Sequence, residues 1–288
     1  MTTVVTLRNH DLWCEIKPEL GGCIAGLWMG DVPVLHSTRA ADLHSVRQSG
    51  SYPLVPFSNR LGEAKLHWQG TNHPLIKNFD PEPHAIHGVG WERPWAVLES
   101  SDTFALLSYE HKADAAWPFD FDTSQAFKLS ACALEMTISI TNQSQQAAPV
   151  GLGWHPYFAK RAGSRVHFNA TGRWEMGADK LPTHREANVG LNVDPNHLTV
   201  DHCFDGWSGA VTLQDGMLRT CITSSLNRLV VFTTPERSDI AIEPVSHVNN
   251  ALHMLATTGV TAAELGVVVL QPGETFSCDM RIDVERVQ

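Results

Sequence analysis

Two stretches of the chain alternate strictly between apolar and polar residues, which is the pattern of a β-strand with one buried face. Residues 134–141 (LEMTISIT) alternate without exception, and the polar run 142–145 (NQSQ) follows them. Residues 276–285 (FSCDMRIDVE) show the same alternation near the end of the chain. Because successive side chains of a strand point to opposite faces, both stretches are predicted to be half-buried strands.

Further short stretches are rich in β-branched residues and end at turn-forming ones. They are residues 165–174 (RVHFNATGRW), 228–235 (RLVVFTTP) and 239–244 (DIAIEP), which are further strand candidates. Residues 210–225 (AVTLQDGMLRTCITSS) are predicted to form a hairpin that turns at Asp215-Gly216. Asp-Gly favours this turn because it readily takes the positive φ that a tight hairpin requires.

Helical periodicity is weak along the chain. Residues 41–48 (ADLHSVRQ) and 251–258 (ALHMLATT) are each predicted to form a short helix. Many short strands, turns of glycine, proline and asparagine, and few helices favour an all-β fold, either an antiparallel sandwich or a barrel. Since no linker, internal repeat or low-complexity segment interrupts the sequence, we expect one large domain over residues 1–288.

Composition narrows the classes of partner. The formal net charge is -10, and a negative surface repels phosphate backbones and anionic lipids, so neither nucleic acid nor a membrane is an expected partner. The first residues lack the basic and apolar regions of a secretory signal, and no apolar run approaches the roughly 20 residues that span a bilayer. The six cysteines are scattered without a C-x-x-C pair, so we expect reduced thiols in a cytoplasmic protein.

The chain is rich in histidine and tryptophan. Fifteen histidines and nine tryptophans are many for this length. Tryptophan suits a hydrophobic core, and it also suits sugar binding because the apolar face of a pyranose stacks on an indole.

The first candidate for chemistry lies in residues 51–62 (SYPLVPFSNRLG), where Asn59 and Arg60 follow a proline-rich approach. An arginine in such a loop can donate through its planar fork to sugar oxygens. A surface ion pair is the alternative for Arg60.

The second candidate is residues 83–95 (PHAIHGVGWERPW), which contain two histidines three positions apart, His84 and His87. Such a pair suggests a metal site, but no nearby carboxylate or thiol has the spacing of a third ligand, so no metal is predicted. Gly88 and Gly90 indicate a tight loop that brings the backbone close to another group. A structural role for either histidine stays open.

The third candidate is residues 151–158 (GLGWHPYF). His155 precedes a proline, which favours extended backbone, and its imidazole is predicted to project into the space that the aromatic residues enclose. The alternatives for His155 are an acid–base group and a buried structural histidine.

The fourth candidate is Glu243, which ends the apolar run IAIE before a proline. An inward-facing carboxylate is costly unless it is paired, and burial raises its pKa toward the range of a general base. An outward-facing edge residue is the alternative. Residues 200–207 (VDHCFDGW) add Asp201, His202 and Asp205 beside Trp207, which fits the recognition of sugar hydroxyls or a simple loop.

Five motifs occur in one order along the chain: SNR, HAIHGVGW, GWHPYF, LTVDHCFDGW and AIEP. In this order, over roughly residues 51–244, the chain resembles the aldose 1-epimerase (galactose mutarotase) family. The resemblance implies a large antiparallel β-sandwich of the supersandwich type with a concave sugar site. It also implies interconversion of the α and β anomers of an aldose without a metal or an organic cofactor.

Site roles follow from the same resemblance. Glu243 resembles the general base, His155 the general acid, and His87 a second histidine that helps at the ring oxygen. Arg60 and Asp201 resemble substrate-binding residues, and Asn59 is their companion. Acid and base are expected on opposite sides of the sugar, where Glu243 must be ionised and His155 protonated.

The chain departs from the usual family pattern near the acid. Typical galactose mutarotases carry an asparagine before the His-Pro-Tyr-Phe motif, where this chain has Trp154, and Val89 separates two glycines that usually adjoin. We expect Trp154 to contribute to the substrate-binding wall around His155. These changes leave the preferred sugar open.

Three alternatives to a free-aldose mutarotase remain. A hexose-6-phosphate mutarotase needs a cationic cluster, for which the candidates are Arg60, Arg93, Lys160 and Arg161. A non-catalytic sugar-binding protein on the same fold has no need for an acid–base pair. A cupin-like metal enzyme built on the two histidines lacks the required downstream spacing. The expected partner is a small-molecule aldose, bound by a monomer or a homodimer.

Overall fold

Antiparallel strands account for most of the regular structure in the computed structural model, which describes residues 4–287. The first strands are β1 (Val5–Asn9), β2 (Leu12–Lys17), β3 (Cys23–Met29), β4 (Val32–Pro33), β5 (Pro53–Leu54), β6 (Arg60–Leu61), β7 (Lys65–Trp68), β8 (Thr71–Pro74), β9 (Ala85–Ile86), β10 (Ala96–Ser100), β11 (Phe104–His111), β12 (Phe121–Leu129) and β13 (Ala133–Asn142). Single 3-10 turns lie at Val46–Gln48, Gly62–Ala64 and Gly90–Glu92.

The second part of the chain continues the pattern. Its strands are β14 (Ala148–Val150), β15 (Gly153–Trp154), β16 (Tyr157–Ala159), β17 (Arg165–Phe168), β18 (Gly172–Met176), β19 (Pro182–Ala187), β20 (Leu191–Val193), β21 (Val200–Asp205), β22 (Ala210–Gln214), β23 (Leu218–Ser224), β24 (Arg228–Thr233), β25 (Asp239–Val245), β26 (Val268–Leu270) and β27 (Thr275–Arg286). A 3-10 turn lies at Pro195–His197, and the α-helices are α1 (Ala251–Thr257) and α2 (Ala262–Leu265).

Two large antiparallel sheets dominate the fold. One has nine strands in the order β10-β11-β12-β13-β27-β23-β22-β17-β20. The other has eight strands, in the order β19-β18-β21-β24-β25-β15-β5 with β16 also paired to β25. A four-stranded sheet, β1-β2-β3-β4, and three strand pairs complete the structure. The prediction of an all-β antiparallel sandwich is confirmed.

Burial shows which faces meet. Strands β12, β13 and β27 bury alternate residues, so the nine-stranded sheet places one face on the core and leaves the other near solvent. In contrast, every residue of β25 is buried, because one face lies on the core and loops cover the other. Fully buried residues such as Ile138, Ile242 and Ile282 each contribute about 1.5–3 kcal/mol to folding. The second face of the eight-stranded sheet is where the candidate site lies.

The two alternating stretches form neighbouring strands. Residues 134–141 lie in β13 and residues 276–285 in β27, and these strands pair from Ala133↔Asp283 to Thr141↔Thr275. Residues 228–235 and 239–244 give the neighbouring strands β24 and β25. The candidate 165–174 instead contains two strands, β17 and β18, which belong to different sheets.

The hairpin is confirmed, with a different turn. Strands β22 and β23 pair as predicted, but Gly216 is not among the residues with a positive φ. Oδ1 of Asp215 instead accepts hydrogen bonds from the backbone N–H groups of Met217 and Leu218, at 2.7 and 3.0 Å. A side-chain acceptor therefore closes the turn.

One predicted helix is confirmed and the other is wrong. The prediction for 251–258 corresponds to α1, whereas in 41–48 only Val46–Gln48 forms a single 3-10 turn. Nζ of the buried Lys17 donates to the carbonyl oxygens of Ala40 and Leu43, and a Glu15 carboxylate oxygen accepts from the Ala40 N–H. These tertiary bonds hold backbone groups that a helix would use. Within residues 4–287, no helix is both long and apolar enough to cross a bilayer.

Candidate active site

A cavity of about 200 Å³ lies on the covered face of the eight-stranded sheet. Six of the seven residues predicted for the site line it: Asn59, Arg60, His87, His155, Asp201 and Glu243. These residues are scattered over the sequence, so the fold brings them together. The same cavity is lined by Tyr52, Phe79, Tyr157 and Phe232, which give it an aromatic wall.

Strand register explains how the sheet presents its part of the site. Asp201 on β21 lies opposite Phe232 on β24, and Phe232 lies opposite Ala241 on β25. Residues directly opposite each other share a face, and the residue two positions along a strand shares it too. Glu243, two residues after Ala241, therefore lies on the same face as Asp201.

Glu243 is almost completely buried, with 1% of its surface exposed. Burial raises the pKa of its carboxyl well above the usual range; the negative charge of Asp201 raises it further, and Arg60 opposes the change. Oε1 lies 3.2 Å from Nε2 of His155, and Oε2 has no hydrogen-bond partner within the described residues. One carboxylate oxygen therefore contacts the imidazole, and the other is not engaged.

His155 is held in place by its backbone and by aromatic rings. Its backbone N–H donates to the carbonyl oxygen of Tyr52. Its imidazole ring lies 4.8 Å from the Tyr52 ring and 4.4 Å from the Tyr157 ring, centre to centre. Burial lowers the pKa of His155 to about 3. Nε2 of His155 also lies 3.5 Å from the Tyr157 hydroxyl, so the imidazole faces both the phenol and the Glu243 carboxylate. Glu243 and His155, predicted as base and acid on opposite sides of a sugar, thus lie in contact rather than apart across an open space.

His87 is fixed by the loop that carries Asn59. Its Nδ1 accepts a hydrogen bond from the backbone N–H of Asn59 at 3.1 Å, and the backbone N–H of His87 donates to the Asn59 carbonyl oxygen. A neutral imidazole that accepts at Nδ1 carries its proton at Nε2, so His87 has a donor free for a ligand. Burial lowers the pKa of His87 well below its usual value, which keeps the ring neutral.

Arg60 makes a bidentate ion pair, which the sequence left as its alternative role, but the pair is buried rather than on the surface and its partner Glu82 was not predicted. Its Nε and Nη2 donate to the two oxygens of Glu82 at 2.6 and 2.9 Å, and Lys180 donates to the same carboxylate at 2.7 Å. Arg60 is the main cause that lowers the pKa of Glu82 to about 2. Glu82 and Lys180 also line the cavity. Both lie in loops far from Arg60 in sequence, and no local pattern marks them.

Trp154 is the predicted site residue that the structure does not bring to the cavity. Only 1% of its surface is exposed, and it is not among the cavity-lining residues. Its neighbour His155 faces the cavity, and adjacent residues of extended backbone point to opposite sides. The Trp154 side chain therefore lies in the core and not in the wall of the cavity.

The other candidate residues have structural contacts. His84 accepts from the Glu63 N–H at Nδ1, and its Nε2 lies 2.9 Å from the Asp179 carbonyl oxygen, so both ring nitrogens are engaged. Asp205 pairs with Arg185, and His202 lies 3.6 Å from Glu175. Within residues 4–287, no group of three or more His, Cys, Asp or Glu side chains is arranged to hold a metal ion.

The proposed phosphate-binding cations do not form a cluster. Arg93 pairs with Asp114, and Arg161 pairs with Asp215. Lys160 donates to the carbonyl oxygens of Pro195 and Thr234. Of the four candidates, only Arg60 lines the cavity.

Comparisons with known proteins agree over the whole chain. The family model for aldose 1-epimerases matches residues 3–283. The uncharacterized protein YphB of Escherichia coli K12 is 28% identical, and the match covers 98% of this chain and 99% of YphB. A solved structure from E. coli K12, provisionally assigned as an aldose 1-epimerase, is 26% identical, with a TM-score of 0.88 and complete coverage of both chains.

A more distant structure shows the same fold. The galactose mutarotase-like protein of Clostridium acetobutylicum is 18% identical with a TM-score of 0.86, and the match covers 99% of this chain and 96% of that one. The match of the family model over nearly all residues agrees with the sheet order and with the motifs that line the cavity. The chain belongs to the aldose 1-epimerase family.

Proposed function

We propose that the protein is an aldose 1-epimerase, an isomerase that interconverts the α and β anomers of a free aldose. The observation that carries the proposal is the 3.2 Å contact between the buried side chains of Glu243 and His155 in the wall of the cavity. The cavity volume of about 200 Å³ is below the roughly 300–1,000 Å³ of sites for drug-sized ligands, which suits a single sugar ring.

The pair supports ring opening by general acid–base catalysis. Glu243 takes the proton of the C1 hydroxyl while His155 delivers a proton to the ring oxygen, so the bond between C1 and the ring oxygen breaks and an aldehyde forms. Rotation about the C1–C2 bond presents the other face of the aldehyde, and the two groups reverse their roles as the ring closes. The C1 hydroxyl and the ring oxygen are bonded to the same carbon, which is why an acid and a base in contact can serve both.

Neighbouring residues bind and orient the sugar. The Nε2–H of His87 is a donor for the ring oxygen, and Nη1 of Arg60 keeps protons that Glu82 does not use. Asp201 accepts from sugar hydroxyls. The rings of Phe232 and Tyr157 offer flat apolar surfaces to the pyranose.

Proton placement in the resting pair differs from that in the proposed working form. Burial raises the pKa of Glu243 and lowers that of His155, so the resting pair favours a neutral imidazole and a protonated carboxyl. The working form, with Glu243 ionised and His155 protonated, has the same number of protons. Conversion to the working form therefore requires one proton to move from Glu243 to His155, with no change in the total charge of the pair.

Polarimetry of freshly dissolved α-D-glucose and α-D-galactose tests the proposal. The wild type is expected to accelerate mutarotation over buffer, and Glu243→Gln and His155→Asn are each expected to lose roughly 10²–10⁴-fold in rate. Glu135→Gln is the matched control, because it removes a carboxylate that pairs with Arg281 on the nine-stranded sheet, away from the cavity.

Two outcomes count against the proposal. Failure of the wild type to accelerate the mutarotation of any of a panel of free aldoses contradicts the activity, and binding without acceleration identifies a non-catalytic sugar-binding protein. Equal rates for the wild type and Glu243→Gln contradict the assigned base.

A further inference from the structure

The carboxylate of Glu82 accepts hydrogen bonds from both cationic side chains that line the cavity, Arg60 and Lys180. Glu82 receives two hydrogen bonds from Arg60, at 2.6 and 2.9 Å, and one from Lys180, at 2.7 Å. The side chains of Arg60 and Glu82 are only 9% and 10% exposed, whereas that of Lys180 is 55% exposed. The Arg60–Glu82 ion pair is therefore shielded from solvent, and Lys180 contacts Glu82 from the solvent side.

Three separate segments meet at Glu82. Glu82 lies in the loop between β8 and β9, Lys180 in the turn between β18 and β19, and Arg60 begins β6. A second bond, from His84 to the Asp179 carbonyl oxygen, joins the same two loops. The position of Glu82 is thus fixed from both sides, and a bidentate carboxylate in turn fixes the plane of the Arg60 guanidinium.

Charges along the described cavity wall balance. Its cations are Arg60 and Lys180, its acidic side chains outside the Glu243–His155 pair are Glu82 and Asp201, and that pair is neutral overall. An anionic group on a sugar would meet two carboxylates and no unpaired cation among these lining residues. With no net positive charge in the described wall to compensate it, the cost of removing an anionic group from water disfavours a negatively charged ligand.

Two further arginines, Arg237 and Arg47, lie near aromatic residues of the cavity wall but leave the balance of charges inside the cavity unchanged. Arg237 pairs with Asp239 at 2.6 Å and lies over the Tyr157 ring. Arg47 is exposed and lies 3.7 Å from the centre of the Phe79 ring. Solvent screens the Arg47 charge, so its effect on a ligand inside the cavity is small.

We infer that Glu82 determines the specificity of the site: by neutralising Arg60 and Lys180 it restricts the cavity to uncharged aldoses and excludes sugars that carry a phosphate or a carboxylate. This inference rests on the proposed function and names its substrate class. Glu82 contacts Arg60 and not the reacting atoms, so it is a positioning and specificity residue.

The test replaces Glu82 with glutamine, which keeps the shape and removes the charge. Arg60 and Lys180 then present uncompensated positive charge to the cavity, while Arg60 loses the two charge-assisted bonds that orient it. Affinity for an anionic sugar is expected to increase on the order of tenfold or more, and affinity for glucose to decrease by several-fold.

Calorimetry would give the dissociation constants of glucose, glucose 6-phosphate and glucuronate, and exchange NMR their rates of anomer interconversion. The matched control is Glu285→Gln, which removes one charge from an arginine pair on the nine-stranded sheet. The double variant Glu82→Gln/Lys180→Gln removes one of the two uncovered cations, and it is expected to lose part of the gain in anion affinity.

The outcomes separate the two proposals. A wild type that binds glucose without accelerating its mutarotation contradicts the proposed function, while the calorimetric ratios still test Glu82. An unchanged ratio of anionic to neutral affinity in a folded Glu82→Gln protein overturns the inference. So does a wild type that binds glucose 6-phosphate as tightly as glucose, or a Glu285→Gln control that shifts the ratio equally.

Discussion

Burial moves the pKa values of Glu243 and His155 in opposite directions, and this is the main residue-level property of the site. It raises the pKa of the carboxyl and lowers that of the imidazole to about 3, so each group disfavours its own charged form. In water the same two groups would both be charged between about pH 4.3 and 6.5. In the cavity both groups are shifted toward their neutral forms, and at a separation of 3.2 Å the protonation of one affects that of the other.

Trp154 gives a test at the scale of one residue. Trp154→Phe is expected to lower the free energy of unfolding by roughly 1–3 kcal/mol, because it leaves unfilled volume in a tightly packed region. The indole Nε1 has no hydrogen-bond partner among the described residues, so no such bond is lost. Chemical denaturation measures the stability, and polarimetry is expected to show an unchanged preference between glucose and galactose.

Phe232→Leu provides the comparison, because Phe232 lines the cavity and its replacement is expected to raise KM. A change of sugar preference in Trp154→Phe as large as that in Phe232→Leu would place Trp154 back in the binding wall.

At the scale of elements, alternation of apolar and polar residues predicted the strands well. It identified β13 and β27, because each has one face that must be buried. The site strand β25 is buried throughout and was predicted instead from its β-branched content. The helix prediction failed in 41–48, where bonds from the distant Lys17 and Glu15 determine the backbone. Motif order predicted most of the cavity wall.

Glu82 and Lys180 were missed for a related reason. Their role exists only because two loops meet at Arg60, and a contact between distant loops leaves no periodic signal in sequence. Trp154 was misplaced because a motif gives the order of residues and not the side to which each one points.

The loop that carries His87 gives a prediction at this scale. Gly88 has φ +69, and an added Cβ would lie 2.2 Å from the Val55 carbonyl oxygen. Gly88→Ala is therefore expected to lower the free energy of unfolding by about 2 kcal/mol or more and to reduce kcat/KM by roughly tenfold, because His87 moves with its neighbour. Urea unfolding and polarimetry measure the two effects.

Gly70→Ala is a matched control, since Gly70 has φ +79 and an added Cβ would meet nothing within 4 Å. It is expected to cost only the backbone strain, about 1 kcal/mol, with activity retained. Equal effects of the two substitutions would show that the close approach to Val55 has no importance.

At the scale of the whole molecule, buried histidines are expected to make stability sensitive to acid. Burial lowers the pKa of His155 to about 3, of His247 to about 4, and of His87 well below its usual 6.5. Their folded values lie below the unfolded ones, so the stability they contribute is complete above about pH 6.5 and is lost as the pH falls. Glu243 acts in the opposite sense, because its raised pKa lets the folded state keep a proton that the unfolded state releases above about pH 4.5.

The net effect is an uptake of about two protons on unfolding between pH 6 and 4.5, or roughly 3 kcal/mol of stability lost per pH unit. Urea titrations at pH 7, 6 and 5 measure this slope. His247→Asn removes one of the groups and is expected to make the slope smaller by about 1.4 kcal/mol per pH unit. A free energy of unfolding that stays constant from pH 7 to 5 would contradict the expected burial of neutral histidines.

The proposed acid–base pair, Glu243 and His155, and the proposed specificity residue, Glu82, lie in different kinds of structural element. Glu243 lies within a fully buried strand and His155 directly follows another, whereas Glu82 and Lys180 lie in connecting loops. Loops accept substitutions and insertions far more readily than buried strands. A descendant of this chain could therefore change the lining of its cavity through substitutions in two loops while inheriting Glu243 and His155 unaltered.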